Sequence, residues 1–533
     1  MKTGYIGAGA LWVTLAAGCT VGPDYRPPVT TAPATWHGVA APLPATRPTG
    51  PTSRPAELVC WWTSLRDPAL DDLIERALAS NLDLRLATAR VREARAQRGV
   101  VAADLWPQAD LSASYDYAGA NRNTGAKPAG DRQGAAKQAG IAAFNTAVRS
   151  LAAGQGIDPA AVARAAAGQA ASTIIGNRMD GGGSVSRGSN LFQFGFDASW
   201  ELDVFGGIRR SVEAADDDIA AAQEDRRGTL VTLLSEVALN YVQLRGSQRR
   251  LVIAEENIRA QQDTLDLTRT LNEAGFAADL EVAQARAQLA ATQSQVPALE
   301  RDIQQAIFQL STLLAMPPTA LLAELEAVRP IPPNPPEVPV GLPSDVLRQR
   351  PDIRSAERQL AAATARIGVA VADLFPRFSL TGSFGPRSRD VNHLLDGNSL
   401  AWSVGPRVNW PVFDGWRIRS NIEVQNARQK QSLVIYEQTV LNAFKEVEQA
   451  LVAYTKEQVR RRSLAEAVAA SQVSTDLSNE LYSRGMTAFL NVLESQRALY
   501  ATQDQLVQSE TAVITNLIAL YKTLGGGWQT PAG

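Results

Sequence analysis

The sequence is poor in the residues that catalysis and metal binding use. Among 533 residues there are two cysteines and two histidines. Those counts exclude a multi-ligand His/Cys zinc site and a disulfide scaffold. His37 and His393 both sit in loop-like surroundings, so no histidine-based triad stands out. Neither a Walker-type phosphate loop nor a nucleophile-elbow motif occurs. The reading is therefore of a protein with no catalytic residues, no metal and no cofactor. Charge of one sign is also missing: 52 Lys+Arg balance 54 Asp+Glu, so no global basic field exists to hold nucleic acid. After the first twenty residues no apolar run reaches the ~18 residues of a membrane helix. That excludes a helical membrane protein and leaves a β-barrel open.

The N-terminus reads as an address. Met1 and Lys2 precede a short apolar stretch, Tyr5 to Leu15, and then Leu15-Ala16-Ala17-Gly18-Cys19. This is the pattern of a bacterial secretory signal over 1–18 that ends at a lipid-modified cysteine, with Cys19 carrying the anchor. Ala16 stands where such signals usually carry Leu, so an ordinary signal peptide with an incidental cysteine is the alternative. Cys60, within Leu58-Val59-Cys60-Trp61-Trp62, reads as a packed, inert thiol.

The chain contains itself twice. Val100-Val101-Ala102-Ala103-Asp104-Leu105-Trp106-Pro107 reappears as Val369-Ala370-Val371-Ala372-Asp373-Leu374-Phe375-Pro376. Trp200–Gly207 matches Val408–Gly415, Gly275 matches Gly485, and Ala291–Gln295 matches Ala501–Gln505. Comparison of the spacings gives the first half about 61 extra residues within 119–189. The organisation expected is an N-terminal extension over 19–67, a first repeat over 68–316, a Pro-rich linker over 317–343, a second repeat over 344–528 and a tail over 529–533. The linker is expected to be extended.

Each repeat carries two alternating segments. In Gln108–Tyr117, Ala109, Leu111, Ala113, Tyr115 and Tyr117 oppose Gln108, Asp110, Ser112, Ser114 and Asp116. In 191–203, Phe192, Phe194, Phe196, Ala198, Trp200 and Leu202 oppose a polar set. The second repeat alternates over 377–384 and 402–412. Strands of this length, apolar on one face and polar on the other, fit a membrane barrel with a polar lumen. Trp106, Trp200, Trp402, Trp410 and Trp416 lie at or near strand ends, as aromatic girdles do. Four strands cannot close a barrel, and open edges are not tolerated in lipid. Three copies give twelve strands.

Between Gly415 and Gly485 there is neither Gly nor Pro, and between Gly207 and Gly275 there is no Pro. Helices of roughly 100 Å can run there. Shorter helices are expected over about 68–105, 276–315, 344–374 and 486–524. Their narrow apolar stripes suit helices packed side by side as staves.

The signal, the duplicated helix–strand–strand–helix halves, Arg348-Gln349-Arg350-Pro351-Asp352-Ile353 and Leu520–Trp528 together resemble the TolC-like outer-membrane efflux proteins. The likeness is to their lipoprotein branch, of OprM and NodT type, over about residues 19–528. The resemblance implies an α+β membrane protein. Its homotrimer would form a twelve-strand β-barrel in the outer membrane, continued by a long α-helical barrel in the periplasm with a mixed equatorial domain. It implies a conduit rather than an enzyme, contacting outer-membrane lipid. The duct would serve an inner-membrane pump of RND or ABC type through a periplasmic adaptor and export small molecules. A protein-secretion duct of type I kind is the alternative.

In that family the gate lies at the periplasmic tips of the helical barrel. By repeat arithmetic these fall near Asn272–Glu281 and Ser483–Glu494, with Gly275 and Gly485 as the turn residues. Glu494 and Asn491 occupy the places where the family has carboxylates, and Asp279 and Glu281 are candidates to supply the charge in the first repeat. Three copies of each would make a ring favouring cations. Arg484 and Arg497 are candidate ion-pair partners holding the tips shut. The insertion 119–189 is expected as an extracellular loop, either solvated or folded over the barrel mouth. Arg350-Pro351-Asp352 reads as structural, a helix start.

Overall fold

The computed structural model describes residues 20–28, 33, 35–37, 59–119, 188–334 and 343–528. Cys19 and residues 120–187 of the insertion lie outside them. The chain separates into two compact units. One holds Met1–Ala103, Phe205–Phe375 and Phe413–Gly533; the other holds Asp104–Val204 and Pro376–Val412. Each unit draws on both sequence repeats, so the duplication cuts across the physical division.

The first unit is helical. Its elements are α1 (Pro68–Ser80), α2 (Leu82–Ala103), α3 (Gly207–Glu273), α4 (Asp279–Gln293) and α5 (Val296–Leu313). A single turn α6 (Leu322–Leu325), α7 (Pro343–Gln349), α8 (Pro351–Ala372), α9 (Arg417–Ser483) and α10 (Phe489–Thr523) complete it. The two long helices α3 and α9 have 67 residues each, roughly 100 Å. Three of the four shorter helical stretches are broken, and each break has a local cause. Asn81 interrupts the first, where its side chain accepts from the Leu84 N–H and donates to the Leu313 carbonyl. Pro297 opens α5. Pro351 forces Arg350 into extended backbone (ψ 122°) between α7 and α8. The linker is not wholly extended: its prolines cluster from Pro330 onward, which leaves Leu322–Leu325 free to make a helical turn with Leu325 buried.

The core is a stack of narrow stripes. Leu234, Val237, Tyr241 and Leu244 of α3 meet Ile514, Leu517, Ile518 and Tyr521 of α10 in one large cluster. Smaller clusters continue outward along the same helices, around Ile253 and Tyr500 and then around Leu265 and Phe489. The N-terminal extension is pinned to this unit. The Val21 N–H donates to the Phe205 carbonyl at 3.2 Å, Arg210 pairs with Asp24 at 2.6 Å, and Trp61 stacks on Tyr521 at 5.2 Å. Cys60 is half-buried, and burial pushes its thiol above the ordinary range.

Arg350 has the structural surroundings of a helix junction. The side chain, in a residue 8% exposed, is bidentate to Asp352 (3.0 and 2.6 Å), pairs with Glu446 at 2.8 Å and donates to the Thr523 carbonyl at 3.0 Å. One guanidinium thus joins α8, α9 and the end of α10. Trp528 completes the junction. Its indole donates to the Gln349 carbonyl at 2.9 Å, and its ring lies beneath the guanidinium groups of Arg227 and Arg354 at 4.6 and 5.1 Å.

The second unit is one antiparallel sheet in the order β1-β2-β3-β4. Its strands are β1 (Gln108–Gly119), β2 (Gly188–Leu202), β3 (Arg377–Ser388) and β4 (Leu400–Asn409). The register keeps like faces together: Leu111 pairs with Phe196, Trp200 with Leu380 and Phe384 with Trp402. On the other face Asp110 pairs with Asp197, Asp197 with Ser383, and Ser383 with Ser403. β4 starts earlier and stops sooner than the 402–412 expected, ending before Trp410-Pro411, because proline supplies no ladder donor. Trp200 lies near one end of the sheet, where its indole donates to the Leu105 carbonyl at 2.9 Å. Trp106 and Trp410 flank that same end and are exposed, whereas Trp402 lies toward the opposite end. Trp416 lies outside the sheet. It belongs to the helical unit, caps α9 with φ +68° and carries the Arg419 guanidinium over its ring at 4.7 Å.

Removal of Arg350 strands two half-exposed carboxylates and one carbonyl. Arg350→Ala is expected to cost about 2 kcal/mol, read as a lowered thermal unfolding midpoint. Arg350→Lys, which keeps the charge but not the fork, should recover part of it.

Candidate functional site

The two long helices end in the same way. At the end of α3 the Gly275 N–H donates to the Asn272 carbonyl at 2.9 Å and the Phe276 N–H to the Leu271 carbonyl at 2.7 Å. At the end of α9 the Gly485 N–H donates to Tyr482 at 2.9 Å and the Met486 N–H to Leu481 at 2.8 Å. Both glycines adopt φ near the left-handed minimum, +79° and +71°. This is the helix stop in which a left-handed residue lets the chain reverse while the last carbonyls stay bonded. A short extended segment follows, and the return helices begin at Asp279 and Phe489.

The equivalent turns carry different side chains. Asp279 of the first tip corresponds to Phe489 of the second, and Glu281 to Asn491. Asp279 and Glu281 lie in the first turn of α4, where carboxylates oppose the positive end of the helix dipole. Asp279 also accepts from the Asn272 amide at 3.0 Å, and that amide donates to the Ala277 carbonyl at 2.9 Å. Phe489 is 1% exposed and packs with Val492, Leu493, Leu265 and Leu289. One tip is therefore braced by polar contacts and the other by an apolar plug.

A hydrogen bond ties the end of one long helix to the other tip. The Tyr482 hydroxyl, at the end of α9, donates to Glu281 Oε2 on α4 at 2.9 Å. The Tyr482 ring lies against Phe489, with centroids 5.4 Å apart. Burial first, and then the Glu281 carboxylate, push the phenol up to about 12. Asn491 and Glu494 lie three residues apart on the exposed side of α10. The Asn491 amide donates to the Thr487 hydroxyl at 2.8 Å. Among the described residues Glu494 makes no ion pair or side-chain hydrogen bond, so its carboxylate stands open on that surface.

The arginines take other partners within the chain than the candidate carboxylates. Arg484 pairs with Glu480, one turn back on α9. Arg497 donates to the Gln288 amide oxygen on α4 at 2.5 Å. Deeper between α3, α9 and α10 lies a polar groove of about 480 Å³, lined by Gln261, Thr264, Thr475, Asn479 and Gln496. Gln496 donates to Thr264 at 2.8 Å, while both amide atoms of buried Gln261 are without a partner among the described residues. Tyr482 and Gln288 were not singled out by the sequence, and Asn272 only as the start of the first tip. Their partners lie across the repeats or across a turn, and the only signal available was that the position equivalent to Asn272 is Tyr482.

The profile of the family described as outer membrane efflux protein matches residues 73–316 and 342–526. Nodulation protein T of Rhizobium leguminosarum bv. trifolii is 29% identical over 520 residues, covering 97% of this chain and 96% of that protein. The pyoverdine export outer membrane protein OpmQ of Pseudomonas aeruginosa is 32% identical over 501 residues, covering 94% of this chain and 92% of its own. Among solved structures, the outer-membrane channel OprN is similar with a TM-score of 0.78 at 36% identity, covering 96% of this chain and 100% of that one.

Tyr482→Phe removes the bond between the tips. The expected result is a loss of about 1–2 kcal/mol of the interaction that joins the tips, read as an approximately tenfold rise in leak through reconstituted channels. The phenol is raised in the folded chain, so its contribution is complete below its ordinary value near 10. It is lost as pH rises from 10 through about 12, and a leak-versus-pH curve in that window should flatten in the variant.

Proposed function

The chain belongs to the outer membrane efflux protein family, and on that premise we propose that it is the passive exit duct of a tripartite efflux system. Its fold is that family's: a homotrimeric twelve-strand β-barrel, four strands per chain, and a long α-helical barrel. It acts at the outer membrane. The observation that carries the reading is the doubled helix tip. Two 67-residue helices end in equivalent reversals, one braced by bonded carboxylates and the other by an apolar plug with the open Glu494 one turn beyond it, as a gate at the far end of a duct requires. An inner-membrane pump of RND or ABC type supplies the energy through a periplasmic adaptor, and the cargo is small molecules. Cys19 carries the lipid anchor. The gate is lined by Glu494, Asn491 and Asp279, with Glu281 held by Tyr482. In a trimer the open Glu494 carboxylates form one ring, whose potential favours cations.

Three measurements test this. A deletion strain is expected to accumulate dyes and drugs with an unchanged set of secreted proteins; a lost secreted protein with normal accumulation would move the chain to protein secretion. Glu494→Ala combined with Asp279→Ala should lower cation selectivity or raise the closed-state leak in planar bilayers, and unchanged values would remove these residues from the gate. Cys19→Ser should abolish incorporation of labelled palmitate; retained label would place the anchor elsewhere.

A further inference from the structure

The sheet leaves two long edges open, β1 with 12 residues and β4 with 10. In the twelve-strand barrel these edges meet between copies, and the sheet shows how. β2 runs past Ser199, the partner of Gln108, to Leu202. At the other end β3 stops at Ser388, opposite Phe192, and β4 begins at Leu400, opposite Pro386. The strand midpoints thus slip toward one end by about five residues between β1 and β4, the stagger that tilted strands in a closed barrel require. Three-fold symmetry carries the mean step, about 1.7 residues per strand, across each seam and brings the slip over one whole copy to between about six and seven residues. The slip across one whole copy must be even, or the polar and apolar faces would exchange, which gives about six residues.

That register is chemically consistent along the whole of β4. On the apolar face it sets Trp402 against Tyr117, Val404 against Tyr115 and Val408 against Leu111 of the next copy. On the polar face it sets Ser403 against Asp116 and Asn409 against Asp110. Arg407 then lies on the diagonal from Asp110, within reach of a long side chain.

Both charges need such a partner. Asp110 sits directly opposite Asp197 within its own sheet, an unfavourable like-charge pair. Asp197 accepts from the Ser112 hydroxyl at 2.9 Å, whereas the Asp110 side chain has no hydrogen bond or ion pair among the described residues. Arg407 is exposed and equally unpaired on the edge strand. We infer that Arg407 of one copy pairs with Asp110 of the next across the barrel seam, with Asn409 opposite Asp110 fixing the strand register. The inference rests on the three-copy closure.

The test uses the full chain in detergent. R407D and D110R are each expected to lose the SDS-resistant trimer at a temperature the unsubstituted protein survives, and R407D/D110R to regain it. S403C/D116C should form interchain disulfides, and S403C/S114C should form fewer; the unsubstituted protein, with its native cysteines, is the control. A double reversal no more stable than the worse single reversal would overturn the ion pair. Preferred crosslinking of the 403–114 pair would overturn the register. An unsubstituted protein that sediments as a single copy would strike the three-copy closure itself, before any substitution is made.

Discussion

The structure depends on one constraint: in hydrocarbon no backbone N–H or C=O can go unpaired. Each unpaired group costs several kcal/mol there. A four-strand sheet with two open edges cannot meet that condition alone. It is met only when copies share a barrel, so the oligomer is part of the fold and not an addition to it. The same condition shapes the strands. Their polar residues face one side and their aromatics the other, with Trp402 and Phe384 paired on the apolar face and Ser383 and Ser403 bonded on the polar one.

The helical unit answers a different problem. A helix of this length cannot bury a wide apolar face without a wide partner, so α3 and α9 are held by narrow stripes and by charged junctions. Arg350 joins three helices at a point where α8 begins and α10 ends, and Trp528 is clamped there by two arginines. Beyond that junction the core thins to small clusters, and side-chain hydrogen bonds such as Gln496 to Thr264 join the helices. Duplication supplied two tips with one backbone, and divergence gave them different chemistry. Asp279 and Glu281 hold the first tip by polar bonds; Phe489 holds the second by burial.

Much of this was legible in the sequence because it is periodic or repeated. Alternation over Gln108–Tyr117 and 191–203 specified strands and their faces, and matching segments such as Val100–Pro107 and 369–376 specified the duplication. The absence of Pro between Gly207 and Gly275 specified the long helix. Gly275 and Gly485 were readable as turns because few residues other than glycine accept that backbone. Local interruptions were harder. Asn81 breaks a helix through a cap whose second partner, Leu313, is 232 residues away, and no window of sequence contains both. The Tyr482–Glu281 bond spans 201 residues for the same reason. Trp416 stands just past Gly415 among aromatics, and that neighbourhood does not reveal that it caps α9. Arg484 and Arg497 were legible as charges near the tips, but their partners depend on which helix face they leave from.

The equal length of α3 and α9 has a consequence for how such a chain can change. Loss of one residue from either helix would turn everything beyond it by about 100° and draw it back by about 1.5 Å. The apolar stripe would leave its partner, and Tyr482 would no longer sit level with Glu281. Tolerated length changes are therefore coupled: near-whole numbers of turns, made in both helices together, with the return helices α4 and α10 altered to match. The reach of the molecule is inherited as a single dimension that both repeats must keep in step.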